Sequence, residues 1–286
     1  MLAPRLEPVL SDLKAADGTP LYYEVHGESG PAVIFSCAYT TTHVNWHPQV
    51  EALVGAGARV VLWDFRGHGR SGVPGDPAGF DMKHVVDDLG RLADAVSPDE
   101  PVVLAGLSFG GLASLHYAVA HPGRVRALLL AGSGPGFKKA EAAAAWKKQS
   151  ERTASYLEER GLEAFVNGKA ASTCIGRRPE LPAAQAARAA FLAQDPHGLA
   201  EFGRRVAGLA PSVIDDLATI DQPALVVVGA ADAAYFQAAE VMAAKLPDAR
   251  HRVLPNAGHI LNIEEEDAFN TLVIDFLSEI GVLPAD

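Results

Sequence analysis

The sequence is poor in several features that would each point to a particular class of protein. It contains only two cysteines, which excludes a disulfide-rich secreted fold. It has no stretch approaching the roughly 18 consecutive apolar residues that a membrane-spanning helix needs. Acidic residues outnumber basic ones by 35 to 24, and the net charge of −11 argues against nucleic acid or an anionic membrane surface as a partner.

The start of the sequence also lacks a targeting signal. Residues 1–13 have no basic segment followed by a long apolar run, which is the pattern of a secretory signal peptide. We therefore expect a cytoplasmic protein that acts on a small molecule. The sequence does not indicate an oligomeric state.

What the sequence does contain is an alternation of apolar strands and helices. Short apolar runs rich in β-branched residues predict buried strands at residues 32–36, 59–63, 101–105, 125–131, 224–229 and 251–254. Helical patterns lie between them, at residues 46–56, 80–96, 111–118, 238–245 and 264–280. Strand patterns at residues 13–16 and 21–25 flank Asp17-Gly18, which predicts a β-hairpin at the start. Strands that are apolar throughout are covered on both faces, so this order predicts an α/β protein with a mainly parallel sheet.

One long segment interrupts the alternation. Residues 134–217 contain no convincing strand pattern and are dominated by alanine, glutamate, lysine and arginine. We expect several helices inserted between two strands of the sheet, forming a helical cap, or lid, over its carboxyl edge. The remaining residues, 1–133 and 218–286, are then expected to form the core domain.

The most informative stretch is residues 106–110, with the sequence GLSFG. It follows an apolar strand and precedes a helical pattern, which predicts a nucleophile elbow with Ser108 at its tip. Gly106 and Gly110 leave room for neighbouring elements to pass close to the turn. The Ser108 hydroxyl would stand beside a helix N-terminus, where free N–H groups favour a developing anion.

A serine nucleophile needs a base and a group that orients the base, and two residues fit these roles. His259 lies in the loop after the last predicted strand, and Asp232 follows the strand at residues 224–229. The chain order Ser108, Asp232, His259 is the one expected of this architecture. The competing interpretations are a surface or core histidine and, for Asp232, a cap on the helix that follows it.

With these residues in place, the chain resembles the α/β-hydrolase superfamily, and in particular its serine esterase and enol-lactonase branch. Residues 63–71, WDFRGHGRS, resemble the family's loop after the fourth strand, and residues 262–266 with Phe269 resemble the stretch after the catalytic histidine. Leu107, where many relatives have histidine, is similar to the enol-lactonase branch. The resemblance covers most of the chain and implies a mostly parallel, eight-stranded-type sheet with helices on both faces and an inserted lid. It also implies scaffold roles for Asp64, Arg66 and His68.

The chain departs from the family pattern at the oxyanion loop. Relatives usually carry His-Gly after the first buried strand, and Cys37 and Ala38 fall on those positions here. The resemblance implies that Tyr39 supplies the first oxyanion N–H, whereas a one-residue shift would assign it to Ala38. The second donor is expected to be the N–H of Phe109, because it follows the nucleophile. Cys37 itself is expected to be a small buried residue, since no histidine partner is evident.

The resemblance implies a Ser108, His259 and Asp232 triad that cleaves carboxylic esters through an acyl-enzyme, with no metal or organic cofactor. An enol-lactonase or carbon–carbon bond hydrolase using the same triad is the alternative, and a ligand-binding receptor with little turnover is a further one. Haloalkane dehalogenases and epoxide hydrolases are disfavoured, because those relatives carry aspartate at the nucleophile position. Phe137 and Trp146 are expected to line an apolar substrate pocket, although both could equally be lid-packing residues.

Overall fold

The structure of the chain is a computed structural model that describes residues 13–284. The predicted absence of a secretory signal rests on residues 1–12, which lie outside the described residues, as do residues 285–286. Among residues 13–284, no helix combines the length and the apolar character needed to cross a bilayer.

The strands and helices follow the predicted alternation. The strands are β1 (Leu13–Lys14), β2 (Pro20–Leu21), β3 (Tyr23–His26), β4 (Ala32–Ser36), β5 (Arg59–Trp63), β6 (Val102–Leu107), β7 (Val125–Ala131), β8 (Ala224–Gly229) and β9 (Ala249–Leu254). The helices are α1 (His47–Gly55), α2 (Met82–Val96), α3 (Phe109–Ala120), α4 (Ala140–Val166), α5 (Pro182–Leu192), α6 (Pro196–Arg205), α7 (Ala233–Lys245), α8 (Leu261–Glu264) and α9 (Glu266–Glu279). A 3₁₀ turn at His43–Trp46 leads into α1.

The main sheet has the strand order β3-β5-β4-β6-β7-β8-β9. Strand β3 is antiparallel to β5, and the other neighbours are parallel. Strands β4, β6 and β8 are buried at every residue, so both faces of the sheet are covered. The predicted α/β class with a mainly parallel sheet is confirmed, with seven strands in the main sheet of the described residues.

The predicted hairpin at Asp17-Gly18 forms, but it is shorter than expected. Strands β1 and β2 pair with Leu13 opposite Leu21, and the chain then leaves the hairpin. Tyr23 and the residues after it join the main sheet instead, where Tyr23 lies opposite Trp63. A two-stranded hairpin offers little cover for a large side chain, whereas the sheet leaves Tyr23 only 7% exposed.

Helices α4, α5 and α6 all lie between β7 and β8 in the chain. Nevertheless β7 and β8 are hydrogen-bonded neighbours, with Leu128 opposite Ala224, so the helical segment leaves the sheet continuous. Helix α4 is broken at Gly161, whose φ of 78° is not helical. Residues 134–217, all of them described, contain helices and turns, as the composition predicts. The division into a core and a cap at these boundaries stays a prediction.

Candidate active site

Ser108 stands at the turn between β6 and α3 in a strained backbone conformation. Its φ of 54° lies in the left-handed region, which residues other than glycine rarely adopt. Holding such a residue there costs about 1–3 kcal/mol. The turn is held to the next strand, because the Ser108 N–H donates to the carbonyl of Ala131 at 2.8 Å. Its carbonyl in turn accepts from the hydroxyl of Ser133 at 2.7 Å. These contacts therefore hold Ser108 in its strained conformation.

Two glycines make the turn possible by letting backbones touch. A Cβ added to Gly106 would overlap the backbone of Gly110, and one added to Gly110 would overlap the carbonyl oxygen of Ser36. Helix α3 therefore approaches β4 as closely as two backbones can. Any larger residue at either position would push Ser108 away from the edge of the sheet.

Asp232 and His259 meet at the same edge. Asp232 lies in the loop after β8, and its carboxylate makes no capping bond to helix α7. Its Oδ2 instead lies 2.8 Å from Nδ1 of His259, in the loop after β9. Both side chains are largely buried, with 5% and 13% of their area exposed. A carboxylate accepts only, so Nδ1 carries the proton of the neutral ring and Nε2 is left as an acceptor.

Tyr235 contacts Ser108 directly, and the sequence did not single it out. The Ser108 hydroxyl donates to the Tyr235 hydroxyl at 3.2 Å, and the Tyr235 ring stacks on the ring of His259 with centroids 4.7 Å apart. Among the hydrogen bonds of residues 13–284, none joins Ser108 to His259 directly. Burial raises the pKa of Tyr235, so its hydroxyl stays protonated near neutral pH. The available signal was its spacing, since Tyr235 lies one helical turn beyond Asp232.

The loop after β4 carries both candidate donors for the first oxyanion N–H, and it engages only one of them. The N–H of Ala38 donates to Oγ1 of Thr41 at 2.9 Å and is therefore occupied. No acceptor within the described part of the chain takes the N–H of Tyr39 or of Phe109. The structure thus leaves these two backbone donors available, and their role as oxyanion donors stays a prediction.

The same loop is fixed by contacts to its two sides. Thr40 has a φ of 75°, a left-handed conformation, and its N–H donates to Nε2 of His68 at 3.3 Å. Its carbonyl accepts from the side-chain amide of Gln194 at 2.9 Å, and Gln194 also accepts from the N–H of Gly69. Gln194 lies just after α5, so the inserted helical segment helps to hold this loop. Cys37 is buried, as expected, and its thiol donates to the carbonyl of Trp63.

An aromatic side chain from helix α6 packs over this region. The ring of Phe202 lies 5.0 Å from that of Phe109 and 4.5 Å from that of His68, between ring centroids. It also stacks on the ring of Tyr39, at 6.1 Å. Phe202 had no distinguishing signal in the sequence, because only the fold brings α6 to the carboxyl edge of the sheet.

The two residues predicted to line a substrate pocket lie together in the inserted segment. The rings of Phe137 and Trp146 are 5.8 Å apart, and Trp146 donates to the carbonyl of Ala207 at 2.7 Å. Phe137 is 45% exposed. None of the ring contacts or hydrogen bonds within residues 13–284 joins either residue to Ser108 or His259. Their role in substrate binding stays a prediction.

The residues interpreted as scaffold are buried and fully engaged. Arg66 forms a bidentate ion pair with Asp88, with both distances 2.7 Å. The Asp64 carboxylate accepts from the backbone N–H groups of His43 and Arg70. These contacts fix the loop after β5, on which the position of His68 depends.

His68 makes the stability of this loop sensitive to acid. Its Nδ1 lies 3.3 Å from the carbonyl of Arg66 while its Nε2 accepts from Thr40, so the ring is held neutral. Burial lowers the pKa of His68 to about 4, against an ordinary value of about 6.5 in the unfolded chain. Between these values only the unfolded state binds the proton. The contribution of the neutral His68 ring to the free energy of unfolding is therefore complete above pH 6.5 and is lost as the pH falls towards 4.

We therefore expect the free energy of unfolding to fall by about 2 kcal/mol between pH 7.5 and pH 5 on account of His68 alone. Urea unfolding at the two pH values measures it, with His68→Asn as the comparison because asparagine does not titrate. The variant should start less stable at pH 7.5 and lose correspondingly less on acidification. Equal losses in both proteins would contradict the assignment to His68.

Comparisons with known proteins extend over nearly the whole chain. A family profile described as "alpha/beta hydrolase fold" matches residues 26–266. The chain is 31% identical, over 279 residues, to a protein of Variovorax paradoxus (strain S110) named provisionally as a carbamate hydrolase, covering 92% of this chain and 97% of that protein. The enol-lactonase from Burkholderia xenovorans LB400 has a similar structure, with a TM-score of 0.80 and 28% identity over 94% of this chain and 100% of that one. A thermophilic esterase from Thermogutta terrifontis gives a TM-score of 0.82 and 26% identity, over 96% and 99% of the two chains.

Proposed function

This chain belongs to the alpha/beta-hydrolase fold family, and from that membership we propose that it is a serine hydrolase that cleaves carboxylic esters through an acyl-enzyme. The names of its relatives support hydrolase chemistry in general. The observation that carries the finer proposal is the 2.8 Å contact between His259 and Asp232 at the sheet edge where Ser108 stands on its strained turn. In the proposed triad Ser108 is the nucleophile, His259 the base and Asp232 the group that orients it.

The first chemical step begins when the Ser108 hydroxyl turns from Tyr235 to Nε2 of His259. Its oxygen attacks the carbonyl carbon of the ester while its proton passes to Nε2, and the carbonyl oxygen becomes an oxyanion. The N–H groups of Tyr39 and Phe109 are proposed to bind that oxyanion, because neither has another acceptor among residues 13–284. The N-terminus of α3 adds the positive end of its dipole at the same place.

The remaining steps return the enzyme to its starting state. His259 gives its proton to the departing alkoxide, the carbon–oxygen bond breaks, and the acyl group stays on Ser108. His259 then takes a proton from water, whose oxygen attacks the acyl carbon, and the same proton finally returns to Ser108 as the acid leaves. Asp232 holds His259 in the required tautomer and stabilises its charged form in both halves.

The hydrogen bond to Tyr235 holds the Ser108 hydroxyl in an arrangement that the proposed reaction has to leave. While its hydroxyl accepts from Ser108, the nucleophile is not aligned with its base. The bond is 3.2 Å long, so exchanging it for a bond to His259 is inexpensive. We propose that an incoming acyl group occupies the space beside Tyr235 and moves the Ser108 hydroxyl onto His259.

The inserted segment, residues 134–217, is proposed to act as the cap that selects the substrate. Two contacts support this placement: the Phe202 ring packs on Phe109, and Gln194 bonds the carbonyl of Thr40. Phe137 and Trp146 are proposed to contact the substrate from the same segment. A cytoplasmic location and a small-molecule substrate remain part of the proposal.

A second candidate is hydrolysis of a different acyl compound by the same groups. One relative is named provisionally as a carbamate hydrolase and another as an enol-lactonase, and both reactions also pass through attack on a carbonyl carbon. Carbon–carbon bond hydrolysis would use the same triad. A receptor of this fold would acylate at most once and release product slowly.

A substrate panel tests the proposal. We expect repeated turnover of p-nitrophenyl esters, with kcat/KM reaching about 10⁴ M⁻¹s⁻¹ on the best acyl chain length. An enol-lactone and small carbamates are assayed in parallel, with product release followed over many enzyme equivalents. A higher kcat/KM on a lactone or carbamate would replace the ester assignment by the second candidate. A single slow turnover on every compound would favour a receptor.

A further inference from the structure

A separate cluster of histidines surrounds Glu24 at the edge of the sheet. Glu24 and His26 are two residues apart on strand β3 and therefore project to the same face. His43 opens the 3₁₀ turn and His47 opens α1, four residues later, so these two also share a face. Packing of the turn against β3 and β5 brings the pairs together.

The nitrogen and oxygen atoms of this cluster converge closely. Nε2 of His26 and Nε2 of His47 each lie 3.1 Å from Oε2 of Glu24, and Nε2 of His43 lies 3.4 Å from Oε1. One donor atom each from Glu24, His43 and His47 fall within 4.8 Å of one another. Ligands about 2.1 Å from a tetrahedral zinc ion lie about 3.4 Å apart, so these separations need little adjustment.

Two further features match a metal centre. Nδ1 of His43 lies 2.8 Å from Oδ2 of Asp64, the arrangement in which a carboxylate orients a ligating imidazole and fixes its tautomer. Glu24 and His43 are buried, whereas the side chain of His47 is 45% exposed. An ion can therefore reach the cluster from solvent at His47 and be enclosed by the other side chains.

We propose that Glu24, His43 and His47 form a binding site for a divalent transition metal of the zinc type. Imidazole and carboxylate are ligands that zinc accepts readily, whereas magnesium prefers an all-oxygen octahedron. The ion would join β3 to the turn that directly follows the loop carrying Tyr39 and Thr40. It takes no part in the proposed reaction, so it is expected to affect the stability of that loop and not the chemistry.

The test is calorimetric titration of the untagged full chain, first stripped of metal with a chelator. We expect about one Zn²⁺ per chain with a Kd of about 1 µM or below, and no comparable binding of Mg²⁺. Zn²⁺ should also raise the Tm of the wild type, because it binds only the folded state with high affinity. The heat of binding and the Tm shift require no active enzyme, so they are independent of the ester assay.

Variants separate this site from ordinary surface histidines. His47→Ala, whose side chain is exposed, should fold normally and bind Zn²⁺ at least about tenfold more weakly. Glu24→Gln keeps the shape of the side chain but replaces one carboxylate oxygen by an NH₂ group, so it should weaken binding similarly. His197→Ala removes an exposed histidine elsewhere and should change nothing. Equal Zn²⁺ affinity in the wild type and His47→Ala, or no binding in the wild type, would overturn the proposal.

Discussion

Ser108→Ala is expected to lower kcat for a p-nitrophenyl ester by about 10⁴ to 10⁶, the loss seen when a triad nucleophile is removed. Alanine adopts the strained backbone of this turn no worse than serine, and only the 3.2 Å hydrogen bond to Tyr235 is lost. The fold and the Tm should therefore change little. Steady-state kinetics with thermal unfolding of the same samples measure both quantities.

Ser114→Ala is the matched control for this result. Ser114 lies on the same helix, is buried, and bonds only the carbonyl of Gly110 among its described neighbours. Its replacement should leave kcat within about twofold, since no proposed chemistry involves it. If Ser108→Ala kept a rate near that of the wild type, the nucleophile and with it the proposed function would be wrong.

Asp232→Asn is expected to lower kcat by about 10⁴ without displacing any side chain. The aspartate accepts the Nδ1 proton of His259, whereas the asparagine amide can donate to Nδ1 and favour the other tautomer. Nε2 would then carry the proton and could not receive one from Ser108. Kinetics against pH measure the effect, with partial recovery expected at high pH if hydroxide replaces the missing base.

Glu240→Gln is the control for the removal of one negative charge near Asp232. Glu240 is an exposed residue of α7, the helix that follows Asp232, so its replacement removes one negative charge without affecting the contact between Asp232 and His259. We expect an unchanged kcat. A loss below tenfold in Asp232→Asn would show that the orientation of His259 does not depend on this carboxylate.

The architecture could be predicted from the sequence because its strands are short, apolar and separated by helical patterns. The runs at Ala32–Ser36, Arg59–Trp63 and Val125–Ala131 form strands over the predicted residues. The prediction from local pattern fails at Tyr23, because whether this residue joins the hairpin or the main sheet depends on Trp63, a partner far along the chain. The family resemblance drawn from these motifs is confirmed by the match over residues 26–266.

The candidate site could be predicted only where the fold fixes a position by chain order. Strand ends placed Asp232 beside His259, a contact that the structure contains. Tyr235 escaped prediction because its neighbours Ser108 and His259 belong to other segments. The cluster around Glu24 was not predicted for the same reason, because Glu24 lies on a strand whereas His43 and His47 belong to a turn and a helix about 20 residues later. The sequence also could not show that the N–H of Ala38 is already bonded to Thr41, the contact that favours Tyr39 as the proposed oxyanion donor.

The direct pairing of β7 with β8 has a consequence for how this protein can diversify. The two strands meet although on the order of 90 residues separate them, so folding must close a long loop whose entropy cost grows only with the logarithm of its length. Doubling that loop would cost only about 0.6 kcal/mol more. Insertions and deletions in the helices between the strands therefore change the free energy of pairing β7 with β8 very little. In the proposed cap, substrate range can therefore drift through changes in length while Ser108, Asp232 and His259 keep their positions at the sheet edge.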